Sequence, residues 1–432
     1  MSENISVNFK SGGCVDCSSC GLCGKGKKEA SVVTESVNAP KAADAGMQSF
    51  TNGLSIMPGA QDVGGQQDEI PTLVAVDLGT TTIGMYLINA VTGEQMGVFV
   101  SLNPQQLHGA DVISRISNAN AGKKEELQAL ILEAIENGVK KLIKERTPKL
   151  IVISGNTVMG HLLMGYDVSA LGVYPFKAEK LEQAETMICG MKTILMPGIS
   201  AFIGGDIVSG LYTLGFKDQK EISMLIDLGT NAEMVIGNCD KMLALSAAAG
   251  PAFDQKVYGS QLIKAVAQIL QEEKADRTGC LADEYFELGC IAGRTLVKQE
   301  EIRELQKAKA AVAAGIALLA REYGVALAQI DKVYIAGGLG FYLDLDAALE
   351  IGLFPKEFAG KMEAVGNTSL EGAYRYAMAL EQGEREGTHA DAERVAETKP
   401  ECELKELLSK VQELNLAELE GFEETYINAM NF

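Results

Sequence analysis

Residues 74–89 read VAVDLGTTTIGMYLIN, and residues 224–238 read MLIDLGTNAEMVIGN. Each is a short apolar run, an Asp-Leu-Gly-Thr turn, a polar position and a second apolar run. Apolar runs of this length around a glycine turn predict a β-hairpin. Glycine lets the backbone approach a phosphate closely, and successive N–H groups beside threonine hydroxyls make an anion nest. One such turn is a weak signal, because many hairpins carry it. Two of them, about 150 residues apart, predict two similar lobes that each present a phosphate-binding hairpin. The phosphate contacts then fall to Gly79, Thr80, Thr81 and Thr82 in the first lobe and to Gly229, Thr230 and Asn231 in the second. Asp77 and Asp227 are placed to hold Mg²⁺, directly or through water.

A third segment, KVYIAGGLGFYLD (332–344), is a buried strand leading into Gly337, Gly338 and Gly340. A glycine-rich turn after such a strand lets a nucleotide lie against the backbone. Outward from these motifs, β-rich runs alternate with helical stretches such as KKEELQALILEAIENGVKKLIKE from Pro71 to about residue 375, which indicates an α/β architecture. Five regions follow: a cysteine segment (1–26), a linker (27–70), lobe I (71–216), lobe II (217–380) and a C-terminal extension (381–432). The linker is rich in Ala, Ser, Gly, Gln and Asp and cannot bury enough apolar surface to offset chain entropy. The extension opens polar and Glu-rich. It regains apolar periodicity in ELKELLSKVQELNL and FEETYINAMNF, which predicts that it packs back on the body.

A length of 432 residues suits two or three domains. The net charge of -20 argues against nucleic acid or an anionic membrane as partner, since phosphate-rich surfaces attract clustered Lys and Arg. No apolar run reaches the roughly 18 residues that span a bilayer. The first residues, MSENISVNFK, lack the apolar stretch of a secretory signal, so a cytoplasmic protein is expected. There thiols stay reduced, and clustered cysteines bind metal rather than each other.

Four of the nine cysteines, Cys14, Cys17, Cys20 and Cys23, stand at three-residue intervals in CVDCSSCGLC. The first three match the start of the bacterial ferredoxin run. In that run the fourth cysteine follows three residues and precedes Pro; here two residues intervene and Gly24 follows. One [4Fe–4S] cluster held by all four is the first reading. Zinc in an S₄ site is the alternative, although zinc ribbons separate their cysteine pairs by a longer segment. A cluster shared across a dimer is a third arrangement.

The order phosphate turn, phosphate turn, adenosine turn resembles the actin, Hsp70 and sugar-kinase (ASKHA) superfamily, which implies two lobes around a nucleotide cleft. Further segments occur in sequence: SLNPQQLHGADVISRI (101–116), ISGNTVMGHLLMG (153–165), PGISAFIGGDIVSGL (197–211), AAAGPAFD (247–254), IRELQKAKAAVAAGI (302–316) and GNTSLEGA (366–373). With FEETYINAMNF, this series resembles the reductive activators of corrinoid proteins. The resemblance implies an ATPase that passes a low-potential electron from an Fe–S cluster to a corrinoid protein of a methyltransferase system, restoring cob(I)amide from cob(II)amide. It also implies a low-potential donor and favours a homodimer. The chain departs from the best-known members at its N-terminus, where they carry a plant-type ferredoxin domain.

Two carboxylates compete for the role of activating the attacking water: Asp206, after the paired glycines of FIGGDIVSG, and Glu233, after the second turn. Asn156 and Thr157 end the strand LIVISG, where they either line the cleft or cap a helix. Lys307 and Lys309 either touch the nucleoside or lie on a solvated helix face. His108 and His161 lack paired spacing and are assigned to structure. Pro251 and Phe253 suggest a turn packed near the phosphates. The remaining cysteines read as small core residues. Two other function classes remain open: a small-molecule kinase of the same superfamily, which leaves the cysteines idle, and an Hsp70- or actin-like interaction protein with zinc in its tail. Activation of a different low-potential metalloenzyme is a variant of the first reading.

Overall fold

In the computed structural model, which describes residues 70–144, 146–229, 231–250, 256–340, 342–387 and 399–432, the hairpin expected after Pro71 is present. The cysteine segment, all of the linker before Ile70, Thr230, Pro251 and Phe253 lie outside the described residues. Strand β1 (Thr72–Leu78) pairs antiparallel with β2 (Thr82–Asn89), and β2 with β3 (Gln95–Leu102). On its other side β1 runs parallel to β4 (Leu150–Gly155). Strands β5 (Ala184–Ile188) and β6 (Met191–Leu195) complete a six-stranded sheet in the order β3-β2-β1-β4-β6-β5.

The second sheet repeats this plan. Strands β7 (Ser223–Leu228), β8 (Ala232–Gly237) and β9 (Met242–Ala247) form an antiparallel meander. A small hairpin of β10 (Cys290–Ala292) and β11 (Thr295–Val297) stands apart. Strand β12 (Lys332–Ala336) runs parallel to β7, and β13 (Met362–Gly366) runs parallel to β12. Strand β14 (Val411–Glu413), from the C-terminal extension, adds parallel to β9. The order β9-β8-β7-β12-β13 therefore matches β3-β2-β1-β4-β6 strand for strand. The repeat expected from the two turns extends through five strands of each lobe.

The central strands are buried on both faces, which explains why their sequences read as unbroken apolar runs. Val74, Val76 and Leu78 of β1 pack outward against the helices Lys124–Ile143 and Thr157–Met164. Leu73 and Ala75 face the other way, into a core that also takes Leu225 of β7 and Val235 of β8. The outer face of the second sheet is covered by the helices Lys256–Gln271 and Gln299–Tyr323. Between the sheets lie the helices Gly205–Thr213, Thr368–Gly387 and Pro400–Ser409, which form the layer common to both lobes.

Two of these helices cross at glycines. A Cβ on Gly372 would press on the Ser209 backbone, and one on Gly210 would lie 3.0 Å from both Leu225 Cδ2 and Thr368 Oγ1. The helix Thr368–Gly387 also runs unbroken through position 380, where the sequence places the start of the extension. Both lobes belong to one unit, Val63–Phe432. No helix among the described residues is long and apolar enough to cross a membrane.

Candidate functional site

Side-chain alternation along a strand sends every second residue to one face. Leu73 and Ala75 face the layer between the sheets, so Asp77 points the same way at the strand end; in the second lobe Leu225 directs Asp227 likewise. Both turn aspartates thus face the space between the lobes.

The first turn closes through the Gly79 N–H, which donates to the Thr82 carbonyl at 3.0 Å. A Cβ on Gly79 would lie 2.7 Å from that oxygen, so the position tolerates only glycine. Each carbonyl of the turn is engaged by the segment that follows β3. Asn103 Nδ2 donates to Gly79 O at 2.9 Å, Arg115 Nη2 to Thr80 O at 2.6 Å, and Gln106 Nε2 to Thr81 O at 3.0 Å. The Asn103 N–H adds a second bond to Thr81 O at 2.9 Å. With the carbonyls drawn away, the Thr80 and Thr81 amides have no acceptor among the described residues.

Asn156 caps a helix and also reaches the first turn. Its Oδ1 accepts from the Met159 N–H at 3.0 Å, capping the helix Thr157–Met164, while its Nδ2 donates to Thr80 Oγ1 at 3.0 Å. Gly204 lies underneath, where a Cβ would come within 2.5 Å of Asn156 Cα. Thr157 turns away from the cleft and donates to Ser200 O at 2.6 Å.

Asp77 is oriented by the interlobe helix. Asn367 Nδ2 donates to its Oδ2 and Ser369 Oγ to its Oδ1, each at 2.7 Å. Ser154, at the end of β4, joins Ser369 to Ser209 with oxygen separations of 2.9 Å on each side. A buried hydroxyl chain therefore links β4, both crossing helices and the first turn.

The second turn is one residue shorter. Leu228 pairs with Ala232, and the Gly229 N–H donates to Asn231 O at 2.9 Å, whereas Leu78 pairs with Ile83 in the first lobe. The deletion puts Glu233 directly across from Asp227, at the position Gly84 holds across from Asp77. The glycine-rich segment that opens at Gly337 approaches from β12. Gly337 has φ +85°, and a Cβ there would collide with Asp227 Oδ1 and sit 2.6 Å from Leu228 O. Gly340 serves packing instead, since a Cβ would be 2.9 Å from Ile335 Cγ2. Gly338, between them, is half-buried.

Asp206 begins the helix Gly205–Thr213, with its Oδ1 accepting from the Ile207 N–H at 2.9 Å. Burial in the cleft pushes its carboxyl up to about 6, and the Asp77 charge adds to that rise. Glu233 is raised well above the usual carboxylate range by burial, then by the charges of Asp206 and Asp227. The four carboxylates thus form one electrostatic group across the lobes. Among the described residues no three His, Cys, Asp or Glu side chains are close enough to chelate a metal ion by themselves.

The remaining candidates lie elsewhere. Lys307 Nζ pairs with Glu304 at 2.8 Å on the solvent face. Lys309 is buried, donates to Asn431 O at 2.6 Å and lies over the Phe432 ring, so the C-terminal tail encloses it. His161 is buried with Nδ1 2.8 Å from Thr157 O, and His108 lies 3.2 Å from Glu126. Of the scattered cysteines only Cys290 is buried; Cys402 is exposed and the other three are half-buried.

Asn103, Gln106, Arg115, Ser154, Asn367 and Ser369 hold the site together, yet sequence reasoning assigns them no role. The signals were present: a cluster of amides with one arginine after β3, and an Asn-x-Ser pair opening a helix.

This site lies within two matched family models. One described as RACo middle region matches residues 73–219, and one described as the C-terminal domain of RACo, the ASKHA domain, matches residues 221–259 and 255–432. The corrinoid activation enzyme RamQ of Eubacterium limosum is 28% identical over 72% of this chain and 64% of its own length. The chain thus spans a little under two thirds of that relative. A Co(II) methylated amine-specific corrinoid protein reductase of Methanosarcina barkeri is 24% identical, over 69% of this chain and 68% of that protein. A solved reductive activator for corrinoid, iron-sulfur protein superposes with a TM-score of 0.71 at 27% identity, covering 85% of this chain and 67% of the other.

Proposed function

Because the chain belongs to the RACo family of reductive activators of corrinoid proteins, we propose that it uses ATP to deliver a low-potential electron to a corrinoid protein. The reaction returns inactive cob(II)amide to cob(I)amide. The observation that supports this reading most is the pairing of two phosphate-type turns with four carboxylates across a cleft whose lobes share one layer of helices.

The turns at Gly79–Thr82 and Gly229–Asn231 bind the phosphates, Gly337 lets β12 close against Asp227 and Leu228, and the nucleoside is proposed to lie along the Gly337–Gly340 backbone. Asp77, held by Asn367 and Ser369, and Asp227 would hold Mg²⁺ directly or through its waters. That ion would neutralise charge on the phosphates. Asp206 accepts the proton of the attacking water, a task suited to a carboxyl with its pKa raised toward neutrality. Glu233 occupies the same carboxylate group and is the competing base.

Cys14, Cys17, Cys20 and Cys23 lie outside the described residues; they are proposed to hold one [4Fe–4S] cluster, with zinc as the alternative. Such a cluster supplies a single electron at low potential. Nucleotide coupling is required when the acceptor lies below the donor, since each 59 mV uphill is a tenfold penalty for one electron. The donor is a low-potential reductant, the acceptor belongs to a methyltransferase system, and the resemblance favours a homodimer, proposed to act in the cytoplasm.

The test is the iron and sulfide content of anaerobically purified protein, wild type against a full-length variant with all four cysteines changed to serine. Four irons and four sulfides lost together in the variant support the proposal. Zinc without iron in the wild type removes the redox reading.

A further inference from the structure

Arg115 has its side chain fully buried, and among the described residues it makes no ion pair. Its guanidinium is surrounded by neutral acceptors: Thr80 O at 2.6 Å, Gly109 O at 3.1 Å and Gln105 Oε1 at 3.2 Å, with Met159 Sδ at 3.1 Å. Asp111, which caps the same helix, offsets part of that burial through its charge without pairing with the guanidinium, so the cost of burying the cation is met mainly by neutral acceptors. Burial already pulls its pKa down to about 10, which leaves it charged at neutral pH.

What Arg115 holds suggests its role. It binds the middle carbonyl of the Gly79–Thr81 turn, while Asn103 and Gln106 bind the carbonyls on either side. Three donors from one segment fix three consecutive peptides in one orientation. A peptide whose carbonyl points back presents its neighbouring N–H forward, which is how a nest for an anion is built. The Thr80 and Thr81 amides are the ones left without an acceptor among the described residues. A cation on the far side of the same peptides adds a favourable potential for any anion in front of them.

We propose that Arg115, with Asn103 and Gln106, is a positioning device for the nucleotide phosphates. It sets the first turn in its binding shape before ligand arrives and supplies the positive charge that the turn itself lacks. The inference rests on the nucleotide reading of the site and goes further by assigning affinity for the phosphates to residues that do not touch them.

The test is ATP·Mg²⁺ affinity of the full chain by titration calorimetry, well below each variant's melting temperature. Gln106 is exposed, so Gln106→Ala removes one strut without disturbing the core. It should weaken ATP binding about three- to tenfold, the scale of one neutral hydrogen bond. Arg115→Met should weaken it by about 10- to 100-fold, the scale of a charge-assisted bond, and Arg115→Lys should recover part of that loss. A solely structural role would lower the melting temperature while folded protein bound ATP as the wild type does. ATP affinity within twofold of wild type in Gln106→Ala, and in whichever Arg115 variant folds, overturns the inference. Failure of the wild type to bind ATP would instead sink the nucleotide reading itself.

Discussion

Asp206 stands at a helix N-terminus, where the dipole favours the anion, and yet burial raises its carboxyl to about 6. Desolvation, joined by the Asp77 charge, outweighs the backbone N–H of Ile207 that favours the anion. The linkage consequence has a definite sign. Between the ordinary carboxylate range and pH 6 the native state holds a proton that the unfolded chain has released. The stability from that proton is fully present below the unfolded pKa and is lost as pH rises through about 6. Replacing the carboxylate should therefore stabilise the protein near neutrality: Asp206→Asn is expected to raise the melting temperature at pH 7.5 by a few degrees while lowering ATP hydrolysis about 10²- to 10⁴-fold. Thermal melts and phosphate release measured on the same samples check both halves. With Asp206 as base, wild-type hydrolysis should rise with pH along an acid limb centred near 6. A flat profile between pH 5 and 7 would move the role to another group. Gly337 offers a second test, since its positive φ and its contact with Asp227 exclude a side chain. Gly337→Ala should distort the second turn and weaken ATP binding at least tenfold by calorimetry.

At the scale of elements, the crossing of the helices Gly205–Thr213 and Thr368–Gly387 sets the spacing of the lobes. Gly372→Ala forces the helices apart at the Ser209 backbone, an overpacking change expected to cost about 1–3 kcal/mol in denaturant unfolding. If stability is unchanged, the crossing is looser than its geometry implies. The hairpins were legible in the sequence because their signals are local: an apolar run, a glycine turn and another apolar run. The doubling of the turn carried the two-lobed plan as well. The bracing of the turns was not legible, because it depends on contacts between distant segments. Ser369 reaches Asp77 across 292 positions, and Arg115 reaches Thr80 across 35. Lys309 shows the same limit from the other side. Helical periodicity places it on a face, but only the folded chain shows that the tail Asn431–Phe432 covers that face. The three-residue second turn, which sets Glu233 opposite Asp227, is visible in the aligned repeats, but its meaning depends on the strand register.

At the scale of the whole molecule, the C-terminal extension is tied into both lobes. Helix Pro400–Ser409 joins the layer between the sheets, and β14 extends the second sheet. From β14, Glu413 accepts a 2.5 Å hydrogen bond from Ser200, in the loop just ahead of Asp206. The extension thereby connects the edge of the second sheet to the loop that leads into Asp206. The proposed function asks the chain to couple two processes that its sequence keeps apart: nucleotide chemistry in the cleft, and electron transfer from the Cys14–Cys23 segment. The most direct test is anaerobic reduction of a cob(II)amide-loaded corrinoid protein by pre-reduced activator, followed by its visible spectrum. The account predicts that cob(I)amide forms with ATP·Mg²⁺, fails to form with ADP, and fails to form when Cys14, Cys17, Cys20 and Cys23 are all serine. Equal reduction without ATP, or by the cysteine variant, would contradict it.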